Sequence, residues 1–271
     1  MREKEPLDRA SILRKLSSVK TSRDLEGRRK RFGLSRRYIQ ENGADLFGHL
    51  LGFLVGDAAK RRSNPASEMF LEVQLAKKHK EDERLGEFVG LCANACGISY
   101  YKINVRFVNE RLPGGRYHWK SQPASLLTWM FEQCLGLQEG QLTTYDPVSI
   151  EWLPSMKRSF RIAFIQGLAD SDGYAHLQDK EAHIIVSPNL AAVGKILDSM
   201  NIEYRRGVSK GTDIVKIRCE VAARLPIFSP TSYRYDRLMK LAGARRPGHG
   251  PWPRWLALRV DVLLRQVTFV R

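Results

Sequence analysis

The sequence predicts an α+β fold in which one unit, αββαββα, occurs twice. Three observations carry this. Helical stretches and pairs of short strands follow each other in the same order in both halves of the chain. The strand segments alternate apolar with polar residues, the pattern of a sheet with one face on a core. Two apolar helices with small residues at matching positions open the two units.

The first unit, within 45–140, opens with a helix over 46–57. A hairpin follows, with its second strand over 69–76, and then a helix over 82–97. The next hairpin spans 100–121 and turns at Pro113-Gly114-Gly115, before a helix over 125–135. The second unit, within 141–232, opens with a helix over 158–170. A hairpin over 174–187, a helix over 189–200, a hairpin over 203–220 and a helix near 221–227 complete it. Residues 136–154 hold Gly, Pro and Thr and read as a linker. Residues 1–44 and 233–271 flank the units as basic, helical extensions.

Within the strands, Tyr101, Ile103, Val105 and Phe107 fall on one face, and Lys102, Asn104 and Arg106 on the other. Tyr117 and Trp119 alternate with Arg116, His118 and Lys120; Val215 and Ile217 alternate with Lys216 and Arg218. With Arg205, the polar faces offer long basic side chains that reach phosphates and base edges in a major groove.

Charge placement points the same way. The net charge is +16. Residues 14–37 carry ten Lys or Arg against Asp24 and Glu26, and residues 233–271 carry nine against Asp236 and Asp261. The middle of the chain is nearly neutral, so the ends hold the excess, a distribution that attracts polyanions. In the first extension, a helix over 25–32 ends at Gly33, and Ser35 caps a helix over 36–41. That order resembles a helix-turn-helix whose second helix presents Arg36 and Arg37. The second extension reads as a loop over 245–254 and an apolar helix over 255–270.

Other classes are excluded or disfavoured. At 43% hydrophobic residues the chain has enough apolar side chains for a core. No stretch has the ~20 apolar residues of a membrane span, and no apolar run follows the charged N-terminus as in a secretion signal. A cytoplasmic or organellar-matrix location is expected. Cys92, Cys96, Cys134 and Cys219 form no CxxC pair and read as buried thiols.

The opening helices carry the chemistry. The first reads Leu50-Leu51-Gly52-Phe53-Leu54-Val55-Gly56-Asp57-Ala58, and the second Ile165-Gln166-Gly167-Leu168-Ala169-Asp170-Ser171-Asp172-Gly173. Gly stands third and Asp eighth in both. Gly52 with Gly56, and Gly167 with Ser171, make a flat face on each helix, so two such helices approach until their backbones nearly touch. Asp57 and Asp172 fall at helix C-termini, where a negative charge opposes the dipole by about 0.3–1 kcal/mol. A divalent cation between them offsets that cost and their mutual repulsion.

These paired motifs, with the repeated αββαββα order over roughly 45–232, resemble the LAGLIDADG homing endonucleases. The resemblance implies a monomer in which two pseudo-symmetric units pack through the motif helices. Their sheets form a saddle on double-stranded DNA. It implies Mg2+, with Mn2+ as substitute, held by Asp57 and Asp172, and hydrolysis of the phosphodiester. It also implies a basic residue near each metal, for which Lys78 and Lys80 are the candidates in the first unit. The matching stretch of the second unit, Ser187-Pro188-Asn189, has no lysine, leaving Lys180 or Lys210 as substitutes. The first motif closes on Ala58 where the family pattern has Gly. Two other functions fit the same scaffold: a DNA-binding regulator that does not cut, and an RNA maturase acting on an intron. Retention of both motif acids favours the nuclease.

Overall fold

The computed structural model describes residues 7–56, 59–61, 67–76, 80–103, 115–138, 141, 146–225 and 227–243; of residues 9, 59–61 and 80 it describes the backbone alone. The predicted loop and helix of the second extension, over 245–254 and 255–270, lie outside this set.

Three short helices come first: α1 (Arg9–Ser17), α2 (Leu25–Arg31) and α3 (Arg36–Glu41). Asp8 and Ser11 cap α1 reciprocally, Ser11 N donating to Asp8 Oδ1 at 2.7 Å and Asp8 N to Ser11 Oγ at 3.0 Å. Gly33 turns the chain out of α2 at φ +64°, a conformation that costs side chains with a Cβ. Ser35 Oγ accepts from Tyr38 N and starts α3. This extension is not a separate arm. Ile12, Phe32, Leu34 and Ile39 are buried in the same core as the rest of the chain. Arg28, itself buried, donates to Glu87 Oε2 at 2.7 Å and to Tyr100 O at 2.8 Å.

α4 (Gly43–Val55) and α7 (Arg158–Asp172) run through the centre. α4 begins three residues earlier than the apolar pattern indicates, because Leu46 N bonds back to Asn42 O. It is buried from Leu46 to Val55, which is why its sequence is apolar on every side. The first sheet contains β1 (Ala59–Arg61), β2 (Phe70–Ala76), β3 (Tyr100–Ile103) and β4 (Arg116–Ser121), in the order β1-β2-β4-β3. The second contains β5 (Gly173–His176), β6 (Glu181–Ile185), β7 (Arg205–Ser209) and β8 (Thr212–Arg218), in the order β5-β6-β8-β7. All neighbours pair antiparallel. Helix α5 (Lys80–Ala95) lies between the two hairpins of the first sheet in sequence, and α8 (Leu190–Asp198) between those of the second. α6 (Ser125–Trp129) runs on into a π-helical turn, Met130–Cys134. α9 (Cys219–Arg224) and α10 (Tyr233–Leu241) follow the second sheet. The fold is thus mixed α+β with antiparallel sheets.

The described residues of the stretch predicted as a linker, 136–138, 141 and 146–154, include a packed set. Leu137, Val148, Ile150 and Leu153 are buried, and Val148 N donates to the side chain of buried Asn189 at 2.9 Å. All four cysteines are buried, unbridged thiols. No helix among the described residues is long and apolar enough to cross a membrane.

The register corrects one strand. Tyr101 pairs with Lys120, and Lys102 with Trp119. The core face of β3 is therefore the one bearing Tyr100 and Lys102, not the one bearing Tyr101 and Ile103. Tyr100 and Trp119 are fully buried, whereas Tyr101 is 44% exposed. Burying a side chain of that size contributes about 1.5–3 kcal/mol, which decides the phase of so short a strand. The alternation read for β4 and β8 agrees with their burial: Trp119, Val215 and Ile217 are buried, and Arg116 and Arg218 are exposed.

Candidate metal centre and nucleic-acid interface

The two motif helices meet backbone to backbone. A Cβ on Gly52 would collide with the carbonyl oxygen of Phe164 and stand 2.9 Å from Leu168 N. A Cβ on Gly167 would collide with the carbonyl oxygen of His49 and stand 2.8 Å from Phe53 N. The contacts are reciprocal. The third motif residue of each helix meets the carbonyl three positions, and approaches the amide one position, to either side of its counterpart. Further along, a Cβ on Gly56 would collide with the side chain of Ser171 and stand 2.8 Å from Asp172 Oδ2. The carboxylate of Asp172 therefore lies against the residue that immediately precedes Asp57. Asp57 and Ala58 themselves lie outside the described residues.

Buried polar groups fix the end of α7. Asp170, fully buried, stands 3.0 Å from His49 Nε2 through Oδ2 and accepts from Ser229 N through Oδ1 at 2.9 Å. Arg234 Nε of α10 donates to the carbonyl of Gly173, the residue after Asp172, at 2.6 Å. Asp82 of α5 is also buried, and desolvation pushes its carboxyl up to about 6 even though Arg234 pulls it the other way. Asp172 itself is half-buried at the helix C-terminus, a hard oxygen donor where the dipole disfavours a bare negative charge.

Of the proposed lysines near the metal, Lys78 lies outside the described residues, and Lys80 opens α5 with only its backbone described. Lys180 and Lys210 occupy the tips of the two hairpins in the second sheet, at φ 50° and 51°. Gly173 pairs with Ile184, and Ser209 with Thr212, so Lys210 turns at the end of the sheet where Asp172 leads into β5. Lys180 turns at the opposite end.

The candidate DNA contacts divide. Arg116, His118 and Lys120 share the polar face of the first sheet with Glu72 and Gln74. There Arg116 donates to Gln74 Oε1 at 2.8 Å and His118 Nε2 stands 2.6 Å from Glu72 Oε1. Arg205, Lys216 and Arg218 share the polar face of the second sheet, where Arg205 pairs with Glu181 and Arg218 with Glu203. Lys102 does not belong with them. It lies on the helix-facing side, its ammonium 5.0 Å from the Tyr117 ring and paired to Glu83 of α5. Arg106 lies outside the described residues. On α3, Arg36 and Arg37 are exposed and pair with Glu26 and Glu41. Hydrogen bonds from Arg29 and, after it, Arg36 hold Glu26 down at about 2. Exposed ion pairs of this kind contribute little to stability, so their cations are at hand for phosphates.

Two constellations had no signal in the sequence, the His49–Asp170 pair and the Asp82–Arg234 neighbourhood; sequence reasoning also missed a cluster of His176, Asp179 and His183 on the β5–β6 hairpin. The last was within reach, since strand alternation alone puts His183 and Glu181 on one face of β6.

No family model and no curated relative matches the chain. Solved structures do. I-DmoI in complex with DNA and Ca aligns at a TM-score of 0.50 and 13% identity, over 73% of this chain and 99% of I-DmoI. The homing endonuclease I-WcaI bound to its DNA recognition sequence aligns at 0.47 and 11% identity, over 77% and 97%. Full-length DUF199/WhiA from Thermatoga maritima aligns at 0.43 and 11%, over 83% and 69%. The chain shares the fold of I-DmoI.

Proposed function

We propose that this chain is a site-specific, metal-dependent DNA endonuclease of the LAGLIDADG homing type. The observation that carries the reading is the reciprocal glycine seam between α4 and α7, which sets the Asp172 carboxylate against Gly56, next to Asp57. In this reading the two units stand about a pseudo-twofold axis along the seam. Their sheets form a saddle in the major groove of double-stranded DNA, and one chain suffices. The residues fit a hard divalent ion. Asp172, half-buried at the end of α7, offers carboxylate oxygen, and Asp57 would add a second such donor from the neighbouring helix end.

Asp57 and Asp172 would hold Mg2+, with Mn2+ as a substitute. When bound, such an ion makes water a stronger nucleophile at neutral pH and offsets charge on the leaving oxygen. The chain's own residues do the rest. Arg116, His118, Lys120, Arg205, Lys216 and Arg218 hold and orient the duplex through phosphates and base edges. His49 and Ser229 hold Asp170, and so the end of α7, in place. Lys78 or Lys80 serves the first half-site. In the second unit Asn189 is buried and bonded to Val148, so it is committed to the fold; Lys210, at the Asp172 end of its sheet, is the better placed substitute.

The test is incubation with a plasmid library of randomised targets in Mg2+ or Mn2+, followed by sequencing of linearised molecules. Recurrent cleavage of one sequence supports the reading. Tight DNA binding with no cutting in either metal overturns it in favour of a non-cleaving DNA-binding regulator. That second reading draws on α3, a helix capped by Ser35 after a Gly33 turn, with Arg36 and Arg37 outward.

A further inference from the structure

We propose that the β5–β6 hairpin carries a site for a Zn2+-type cation, built from His176, Asp179 and His183. The site does not depend on the endonuclease reading. His176 lies three residues along β5 from Gly173, about 10 Å away at strand rise, so these side chains are not the carboxylate centre at Asp172.

The hairpin register pairs Tyr174 with His183 and His176 with Glu181, which brings both imidazoles to one face. The two rings stack at 5.0 Å between centroids and 8° between planes. Asp179, in the turn, reaches over them: its Oδ2 is 3.3 Å from His176 Nδ1 and 3.7 Å from His183 Nε2. One ligand atom from each residue lies within 4.8 Å of the other two. Donors about 2.0–2.2 Å from a tetrahedral ion stand roughly 3.3–3.6 Å apart, so small side-chain rotations close the set.

Two further observations point to a ligand. His183 is 3% exposed, yet its Nε2 has no hydrogen-bond partner among the described residues. Glu181 Oε2, 3.6 Å away and equally buried, has none either. Polar atoms left unmatched in the interior forfeit their solvation without return, and a cation held by this set would satisfy His183 Nε2. Tyr174 Oη lies 3.0 Å from His183 Nδ1 and 3.4 Å from Ser209 Oγ, so the far ring nitrogen already has a partner and Nε2 is the one on the Asp179 side. The interactions that a cation must displace are long ones, Lys216 Nζ to Asp179 Oδ2 at 3.9 Å and Asp179 N to His176 Nδ1 at 3.4 Å. Two imidazoles with carboxylate select Zn2+ over Mg2+.

The experiment is equilibrium dialysis of the full chain against Zn2+ with Mg2+ in large excess, with X-ray absorption to count nitrogen ligands. The wild type and Asp172→Asn should each retain one Zn2+ with two imidazole nitrogens. His176→Ala and Asp179→Asn, both at partly exposed positions, should bind at least tenfold more weakly. Tyr174→Phe should weaken binding by a smaller factor. Zn2+ should raise the Tm of the wild type and leave that of His176→Ala unchanged. Absence of retained Zn2+ in the wild type, or equal retention by His176→Ala and Asp179→Asn, overturns the proposal.

Discussion

His49 and Asp170 come from different helices, 121 residues apart, and meet in the interior with Nε2 3.0 Å from Oδ2. Both side chains are buried, and Cys92 Sγ stands 3.8 Å from the other ring nitrogen. Removing one member leaves the other without its partner in a place water does not reach. Asp170→Ala should therefore cost about 3–5 kcal/mol in urea or thermal unfolding. A loss below about 1 kcal/mol would show that the pair is not what holds the end of α7.

The seam itself is tested by volume. Gly167→Leu drives a side chain into the carbonyl of His49, and Gly56→Leu into Ser171 and Asp172. Each should cost about 1–3 kcal/mol or more. Gly27→Leu, at a position where a Cβ meets nothing, controls for the helix-propensity change. Equal Tm values for Gly56→Leu, Gly27→Leu and wild type would contradict the close approach.

For the chemistry, Asp57→Asn and Asp172→Asn keep side-chain shape while removing a charged ligand. Each should abolish double-strand cleavage of the selected target, read as plasmid linearisation. Gel-shift affinity should hold or improve, because repulsion between acids and phosphates falls. Cleavage that survives both substitutions moves the chemistry elsewhere in the chain.

Binding should weaken steeply with salt. Replacing Arg36 and Arg37 by Ala should reduce the slope of log K against log salt by about 1 for each phosphate that is no longer neutralised. This substitution is cleaner than deleting the extension, which would also remove buried Ile12, Phe32, Leu34 and Ile39. An unchanged slope would mean that α3 faces away from the duplex.

Asp82 gives a pH signature. Its folded pKa is raised to about 6 by desolvation, above the ordinary value of 3.8. Its contribution is full below about pH 4 and is lost as pH rises through 6. Asp82→Asn stays neutral throughout, so its stability relative to wild type should improve between pH 4 and pH 7. A difference in Tm that stays flat over that interval would rule out an uncompensated buried carboxyl at this position.

Much of this was legible in the sequence. The mixed α+β class with antiparallel sheets, the glycine spacing at Gly52 and Gly167, and the alternation of β4 and β8 depend on local pattern, and local pattern is what a sequence displays. The phase of β3 was not legible. Tyr100 and Tyr101 are adjacent and equally apolar, and the choice between them is made by the space beneath α5, where Gly86 leaves room for the Trp119 ring. Lys102 misleads for the same reason: its ammonium stands 5.0 Å from the Tyr117 ring and 5.9 Å from the Trp119 ring and meets Glu83. His49 with Asp170, and Asp82 with Arg234, are long-range meetings between residues with no periodic signature.

The seam between α4 and α7 limits how the chain can absorb a substitution. Where helices touch through side chains, a change on one surface is absorbed by a neighbour of different size. Here the surfaces at Gly52 and Gly167 are main chain, which has no alternative sizes. Leu51 and Gln166, or Leu54 and Ala169, hold equivalent motif positions with unlike residues, so size and polarity differ a short step away. The chain thus separates positions that set distance from positions that set character, and a change at one glycine can be met only by moving the backbone opposite it.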